Sequence, residues 1–286
     1  MDNLNLVVHP WKDYELIDSG NNRKLERYGE FIVIRPETQA VWKPGKPDEW
    51  KKAKAEFRWF EGKGVWSKKD MPERWELSWE DVRFSVMLTS FKHTGIFPEQ
   101  VPNWEWLKKK TLALKAPQVL NLFGYTGIAT IVAAKNGAYV THVDASKQAN
   151  DWTKENARLS EIPEDKIRYM LDDGLKFAER EVRREKIYDG IILDPPAFGR
   201  GPKGEVWKIE EDLLRLLEPV KKLLSPKKGA FLILNGYAAG YSPRSFFQAV
   251  QSFFDKKSVE FGELQIEEAG SRRLVPAGIY VRFAID

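Results

Sequence analysis

The pattern with the most chemistry in this chain is an aspartate followed by two prolines and, after one alanine, a phenylalanine: Asp194-Pro195-Pro196-Ala197-Phe198. A carboxylate there can accept a hydrogen bond from an ammonium, or orient a nitrogen that loses a proton. The prolines have fixed φ and no N–H, so they end the strand before them and leave carbonyls able to accept from a ligand. The ring behind them offers a flat face to a planar substrate. A corner that only terminates a core strand would use the same residues, and the pentapeptide alone does not choose between these readings.

Two further groups of residues stand in order upstream. The apolar run Gln118-Val119-Leu120-Asn121-Leu122-Phe123 enters Gly124-Tyr125-Thr126-Gly127, and the helical spacing Ile128, Ile131, Val132 follows at once. A strand, a glycine-containing loop and a helix N-terminus make a place where backbone can approach a polar ligand closely. A second apolar segment, 139–143, ends in Asp144, twenty residues after Gly124. An acid at that distance from a glycine turn is suited to ribose hydroxyls. One Gly-x-x-Gly is a weak signal, but glycine loop, ribose acid and Asp-Pro-Pro corner in this order are a strong one.

In that order the residues resemble a known family. Asn121-Leu122-Phe123-Gly124-Tyr125-Thr126-Gly127, Val143-Asp144-Ala145-Ser146, Leu171-Asp172-Asp173-Gly174 and Asp194-Pro195-Pro196-Ala197-Phe198 are similar to the motifs of class I S-adenosylmethionine-dependent methyltransferases. Within that class they most resemble the large-subunit (23S) ribosomal RNA methyltransferase I/K group. Thr94-Gly95-Ile96-Phe97-Pro98-Glu99-Gln100 is similar to that group's hairpin before the first motif, and Pro276-Ala277-Gly278-Ile279-Tyr280 to its last strand. The resemblance covers residues 85–286.

The resemblance implies S-adenosyl-L-methionine as cofactor. Its methionine portion would lie on Phe123, Gly124, Tyr125, Thr126 and Gly127, and its ribose on Asp144 beside Ala145 and Ser146. Asp172 or Asp173 would accept from the adenine amino group while the other caps the following helix, and Gln100 would join the set from the hairpin. Asp194, Pro195, Pro196 and Phe198 would form the catalytic corner. Asp194 would either hold the cofactor's ammonium or orient the acceptor nitrogen, and Phe198 would stack on the acceptor base. In amino methyltransferases the aromatic directly follows Pro-Pro; here Ala197 intervenes, so the motif does not by itself imply an exocyclic amine.

Composition narrows the chemistry. The chain has no cysteine, which removes disulfides, thiolate metal sites and the thiolate needed to methylate a pyrimidine at ring carbon five. Nitrogen is therefore the expected acceptor, in a base of RNA and by resemblance of ribosomal RNA, in a loop or at an end where extrusion costs least. A protein acceptor, or a non-catalytic RNA-binding protein with a vestigial cofactor fold, are the alternatives. A dinucleotide-dependent oxidoreductase would show Gly-x-Gly-x-x-Gly, which the loop lacks. His9, His93 and His142 have no metal-ligand spacing, so no metal is expected. No apolar run of membrane-spanning length and no secretory signal is visible, and a cytoplasmic protein without membrane partners is expected. The net charge of +4 is uneven: residues 1–103 carry 17 Lys/Arg and 17 Asp/Glu, so the excess lies in 104–286, as suits a phosphate-bearing partner. Monomer and homodimer remain open.

Three divisions are expected: a β-rich N-terminal domain over 1–85, a connecting hairpin over 86–103, and the methyltransferase domain over 104–286. The first holds seven of the eleven tryptophans. Core packing is the favoured role for these, with base stacking the alternative at Trp42, Trp59 and Trp66. From 104 onward helix and strand alternate: helices over 104–114, 128–136, 147–160, 174–184, 210–224 and 243–254, strands over 119–123, 139–143, 167–170, 188–193, 230–234, 258–266 and 279–283. That alternation predicts an α/β doubly wound, Rossmann-like sheet. By resemblance it has seven strands and an antiparallel last pair.

Overall fold

Short apolar runs bounded by turn residues give the N-terminal part of the chain eight strands, as seen in a computed structural model that describes residues 4–237, 240–255 and 258–286. Strand β1 (Leu6–Val8) precedes β2 (Tyr14–Gly20), β3 (Arg23–Tyr28), β4 (Phe31–Pro36), β5 (Ala55–Phe60) and β6 (Lys63–Lys68). The last five form one sheet in sequence order, and β7 (Arg74–Trp79) pairs with β8 (Val82–Met87) in a second. Glu26 is buried inside this region, and although burial opposes its charge, Arg35 and Lys24 outweigh that and hold its pKa down at about 2. Arg35 reaches both Glu26 oxygens, at 2.7 and 2.8 Å. The segment then folds back through Met87 N to Thr94 O and Thr89 N to His93 O, and enters a short 3-10 turn over Pro98–Gln100.

Helix α1 (Val101–Leu112) opens the second region, which continues β9 (Gln118–Leu122), α2 (Ile128–Lys135), β10 (Tyr139–Asp144), α3 (Lys147–Leu159), β11 (Ile167–Leu171), α4 (Gly174–Arg183) and β12 (Gly190–Leu193). A small hairpin, β13 (Phe198–Arg200) and β14 (Val206–Lys208), comes before α5 (Ile209–Leu223), β15 (Phe231–Gly236), α6 (Pro243–Gln251), β16 (Val259–Glu267) and β17 (Leu274–Ala284). The large sheet runs β1-β16-β17-β15-β12-β9-β10-β11. Strands β15, β12, β9, β10 and β11 pair in parallel, while β17 is antiparallel to β15. The expected seven-stranded sheet thus has eight strands. The apolar Leu6-Val7-Val8 adds an edge strand beside β16, where Leu4 N also reaches Phe261 O at 2.9 Å.

Period-two alternation assigns the two faces of the sheet. Leu120 and Leu122, Ile191 and Leu193, Leu232 and Leu234, Val281 and Phe283 point into one core with Phe177, Leu216, Leu217 and Phe246 of α4, α5 and α6. Asn121 and His142 point the opposite way, toward Thr130 of α2 and Thr153 of α3. The second face therefore carries the polar groups that matter below.

The chain divides into two compact units. One comprises Val7–Val101 with Leu264–Ala277, the other Met1–Leu6, Pro102–Glu263 and Gly278–Asp286. The tip between β16 and β17 thus belongs with the N-terminal unit, where Glu268 accepts from Ser19 Oγ at 2.6 Å and Arg273 meets Asp18 at 3.4 Å. A linear cut of the sequence after residue 103 does not capture this excursion.

Candidate active site

The glycine loop takes left-handed backbone at three residues, of which only Gly127 adopts it without steric cost. Phe123 and Tyr125 have φ of 59° and 48°, and Gly127 has φ of 81°. Gly124 N donates to Val143 O at 3.0 Å, and Gly127 N to Gly124 O at 2.9 Å, which curls the loop back over the end of β10. A Cβ on Gly124 would collide with the His142 ring, and one on Gly127 with the Thr153 side chain. These glycines are needed because the floor beneath them is already full.

That floor is a buried hydrogen-bond chain which the sequence did not announce. Asn121 Nδ2 donates to Thr130 Oγ1 at 2.9 Å, Thr130 Oγ1 lies 2.9 Å from His142 Nδ1, and His142 Nε2 lies 3.2 Å from Thr153 Oγ1. Thr153 Oγ1 in turn reaches Tyr125 O at 2.8 Å, and Asn156 Nδ2 donates to Thr126 O at 2.9 Å. Burial pushes the His142 pKa down to about 3, so the ring is neutral. A neutral ring with one acceptor and one donor nitrogen fits a single direction of donation, from Asn121 through Thr130, His142 and Thr153 to the loop carbonyl. The available signal was a histidine inside the apolar strand Val140-Thr141-His142-Val143, weighed above only as a metal ligand.

Asp144 closes the same loop from the other side. Its Oδ2 accepts from Tyr125 N and its Oδ1 from Ser146 N, both at 2.8 Å. Burial raises its pKa, and the two amides act against that rise. Each carboxylate oxygen keeps a second lone pair for a hydroxyl of a bound ligand. Ser146 caps α3 by accepting from Ala149 N, Ala145 is half-buried beside it, and Asn150 Nδ2 donates to Asp144 O at 3.1 Å. The side chain of Phe123 is turned to packing. Its ring tilts against Trp207 with centroids 4.9 Å apart and lies over Gly174, where a Cβ would stand 2.9 Å from Phe123 Cζ, so the side chain is a packing strut and its backbone is what faces the loop.

After β11 the two aspartates divide their work. Asp173 caps α4, accepting from Lys176 N at 2.9 Å. Asp172 pairs with Arg180 and accepts from Asp173 N at 3.0 Å. Gln100 ends the 3-10 turn in the other unit and is buried.

The Asp-Pro-Pro corner leaves the sheet level with the glycine loop. Leu193 of β12 is in register with Leu122 of β9, and Asp194 N donates to Leu122 O at 3.3 Å. Two neighbouring parallel strands thus end side by side, one in Asp194 and the other in Phe123-Gly124. In a doubly wound sheet this is where ligands collect. Pro195 is buried and Pro196 exposed. The Pro196 carbonyl is taken, because Trp207 Nε1 donates to it at 2.7 Å, and Ala197 O accepts from Ile209 N at 3.0 Å. These bonds tie the corner to the β13–β14 hairpin, where Trp207 is buried while Phe198 is 56% exposed. Phe198 is therefore not core, and its ring is presented to solvent four residues after Asp194.

A glycine loop whose floor excludes any Cβ, with a carboxylate at the next strand end, has the shape to receive a nucleoside carrying a small charged chain. Residues 54–251 match the family model of S-adenosylmethionine-dependent methyltransferases. The chain belongs to that family. The methyltransferase is 41% identical to a SAM-dependent methyltransferase of known structure from Agrobacterium tumefaciens, with a TM-score of 0.94 over 99% of this chain and 94% of that one. It shares its fold, at 19% identity and a TM-score of 0.74 over 95% and 76% of the two chains, with a methyltransferase solved in complex with SAH. It is also 34% identical over 165 residues to the ribosomal RNA large subunit methyltransferase K/L of Syntrophotalea carbinolica, a match covering 57% of this chain and 22% of that protein. The methyltransferase thus spans about a fifth of the length of the curated relatives it matches.

The family implies S-adenosylmethionine, and the residues present fit it. Gly124 and Gly127 leave room for backbone to approach the methionine portion, Asp144 offers lone pairs at ribose height, and Asp172 and Asp173 end the neighbouring strand. No helix is long and apolar enough to cross a membrane, and no cluster of three or more metal-ligating side chains occurs, both among the described residues.

Proposed function

We propose that this methyltransferase modifies a nitrogen of a nucleotide base in RNA, ribosomal RNA in the first instance. The reading is carried by Phe198, which stands 56% exposed four residues after Asp194, itself at the strand end beside the glycine loop. An exposed ring on a hairpin whose Trp207 anchors the Pro196 carbonyl offers a face to a flat acceptor, and stacking a base on it contributes about 1–3 kcal/mol. The curated relatives named as ribosomal RNA large subunit methyltransferases support RNA, as does the absence of cysteine for a nitrogen rather than a pyrimidine carbon.

When bound, S-adenosylmethionine supplies an electrophilic methyl group on a sulfonium that is its own leaving group. The chain's task is positioning, which is where most of the rate gain in such a transfer arises. Phe123 to Gly127 would hold the methionine portion with backbone groups, Asp144 would accept from the ribose, and Asp172 or Asp173 would accept from the adenine amino group. Asp194 accepts a hydrogen bond from the acceptor nitrogen and keeps its lone pair directed at the methyl, Pro195 and Pro196 fix the carboxylate's height, and Phe198 stacks on the base. The proton released from that nitrogen leaves through the Asp194 carboxylate or water.

Mass spectrometry of nucleosides from total RNA of cells with and without the protein tests this. One N-methylated nucleoside should vanish in the deletion and return with the wild-type chain but not with Asp194→Ala. An unchanged RNA inventory together with loss of a methylated peptide would make protein the acceptor.

A further inference from the structure

Among the tryptophans of the N-terminal unit, Trp59 stands apart. Trp42 donates its indole N–H to Ser19 O, Trp66 to Thr89 O, Trp11 to Ser78 O, Trp50 to Asp18 and Trp75 to Tyr28 O, and Trp79 is buried. Trp59 is 62% exposed, and its neighbour Phe60 is 65% exposed. Both lie at the tip of the β5–β6 hairpin. Its turn residues Glu61 and Gly62 have φ of 49° and 74°. Positive φ at both positions is the two-residue turn that matches strand twist, so the tip is a stiff prong.

The register sets what each face offers. Arg58 pairs with Val65 and Phe60 with Lys63, so these four share one face, while Trp59 pairs with Gly64 on the other. Gly64 has no room for a side chain, because a Cβ would lie 2.4 Å from Phe57 Cζ and 2.6 Å from Ser90 O, so the residue paired with Trp59 sends no side chain over it. Phe57 meets the Trp59 ring edge-on at 5.3 Å and holds it. The exposed apolar surface is thus Trp59 on one face of a thin hairpin and Phe60 with Val65, 47% exposed, on the other, so that each face of the tip offers one exposed aromatic ring to a flat ligand.

Charge singles out the same segment. Residues 51–70 contain seven Lys and Arg against three Asp and Glu, whereas the rest of residues 1–103 contains ten against fourteen. Lys63 lies at the tip beside these rings, and Lys68 and Lys69 follow at the base of the same hairpin, all three exposed. Rings flanked by lysines on an otherwise acidic unit are complementary to unpaired nucleotides, whose bases stack while phosphates meet the cations.

We propose that the β5–β6 hairpin is an RNA-docking surface, on which Trp59 and Phe60 each stack an unpaired base and the surrounding lysines contact phosphates. The inference rests on the RNA acceptor proposed above and adds a contact outside the catalytic unit. Its test uses the full chain, the double variant Trp59→Ala/Phe60→Ala, and a mixed-sequence single-stranded RNA oligonucleotide followed by fluorescence anisotropy. Affinity should fall about 10-fold or more, as loss of stacking requires, with SAH affinity by calorimetry unchanged. A second variant, Lys63→Gln/Lys68→Gln, should bind more weakly and with a shallower dependence on salt. Wild-type RNA affinity in both variants would overturn the inference and leave the catalytic reading intact, and so would a loss of self-association in sedimentation with RNA affinity unchanged. If wild-type protein leaves RNA nucleosides unmodified while the hairpin variants still lose oligonucleotide affinity, the RNA-methyltransferase reading fails and the surface stands.

Discussion

The two sides of the candidate site are built on opposite principles. On the cofactor side every backbone turn is held from beneath, by Thr153 at Tyr125 O, Asn156 at Thr126 O and Asp144 at Tyr125 N, at 2.8, 2.9 and 2.8 Å. On the acceptor side the support is remote. Trp207 anchors Pro196 O at 2.7 Å, while Phe198 itself stands in solvent. A cofactor that is always the same molecule can be met by a closed hydrogen-bonded frame. A substrate delivered on a large polymer needs an open face, so the rigidity moves one layer back, into the hairpin's strut.

The largest effect should come from the group where the two sides meet. Asp194→Ala should lower methyl transfer by about 100- to 10,000-fold, the range for removing a positioned proton acceptor, in a radiolabelled methyl-transfer assay. SAH affinity that stays within a few-fold would place Asp194 on the acceptor side, whereas equal loss of both would move it to the cofactor's ammonium. Asp144→Ala removes a carboxylate that already accepts from two amides, and it should weaken SAH binding by about 1.5–3 kcal/mol. Gly127→Ala should destabilise the fold by roughly 1–3 kcal/mol in chemical denaturation, because the added methyl meets Thr153 at a φ of 81°.

A smaller effect concerns pH. His142 has its pKa lowered to about 3 in the folded chain and an ordinary value near 6.5 when unfolded. Only the unfolded state takes up its proton between these values. Stability contributed by the neutral ring is therefore full above pH 6.5 and is lost as pH falls toward 3, by about 1.4 kcal/mol per pH unit. His142→Gln should flatten that part of the stability profile by one proton, leaving the similar slope of His93, whose pKa burial and the nearby Arg35 also lower to about 3. The smallest change expected is in the stability of Phe198→Ala, within about 0.5 kcal/mol, because an exposed ring leaves no cavity.

What the sequence disclosed follows the same division. The frame was legible because each apolar run ends at a residue type suited to chemistry or to close backbone approach: Phe123-Gly124 after β9, Asp144 after β10, Asp172-Asp173 after β11, Asp194 after β12. Capping by one of the two aspartates was also legible, and it falls to Asp173. The β13–β14 hairpin was not, since three-residue strands among Gly199, Gly201 and Gly204 carry no alternation long enough to read. Trp207 was given no role from the sequence and is the strut. The His142 chain was hidden because its partners come from β9, α2 and α3, and no local pattern joins them. The last strand was expected over 279–283 and runs over Leu274–Ala284.

Calorimetric titration of SAH and anisotropy titration of substrate RNA, each on Asp144→Ala and Phe198→Ala, test the separation of the two sides most directly. The account predicts a crossed result: Asp144→Ala loses SAH affinity and keeps RNA affinity, while Phe198→Ala keeps SAH affinity and loses about 1–3 kcal/mol toward RNA. Both variants losing both ligands, or Phe198→Ala binding RNA as the wild type does, would contradict it.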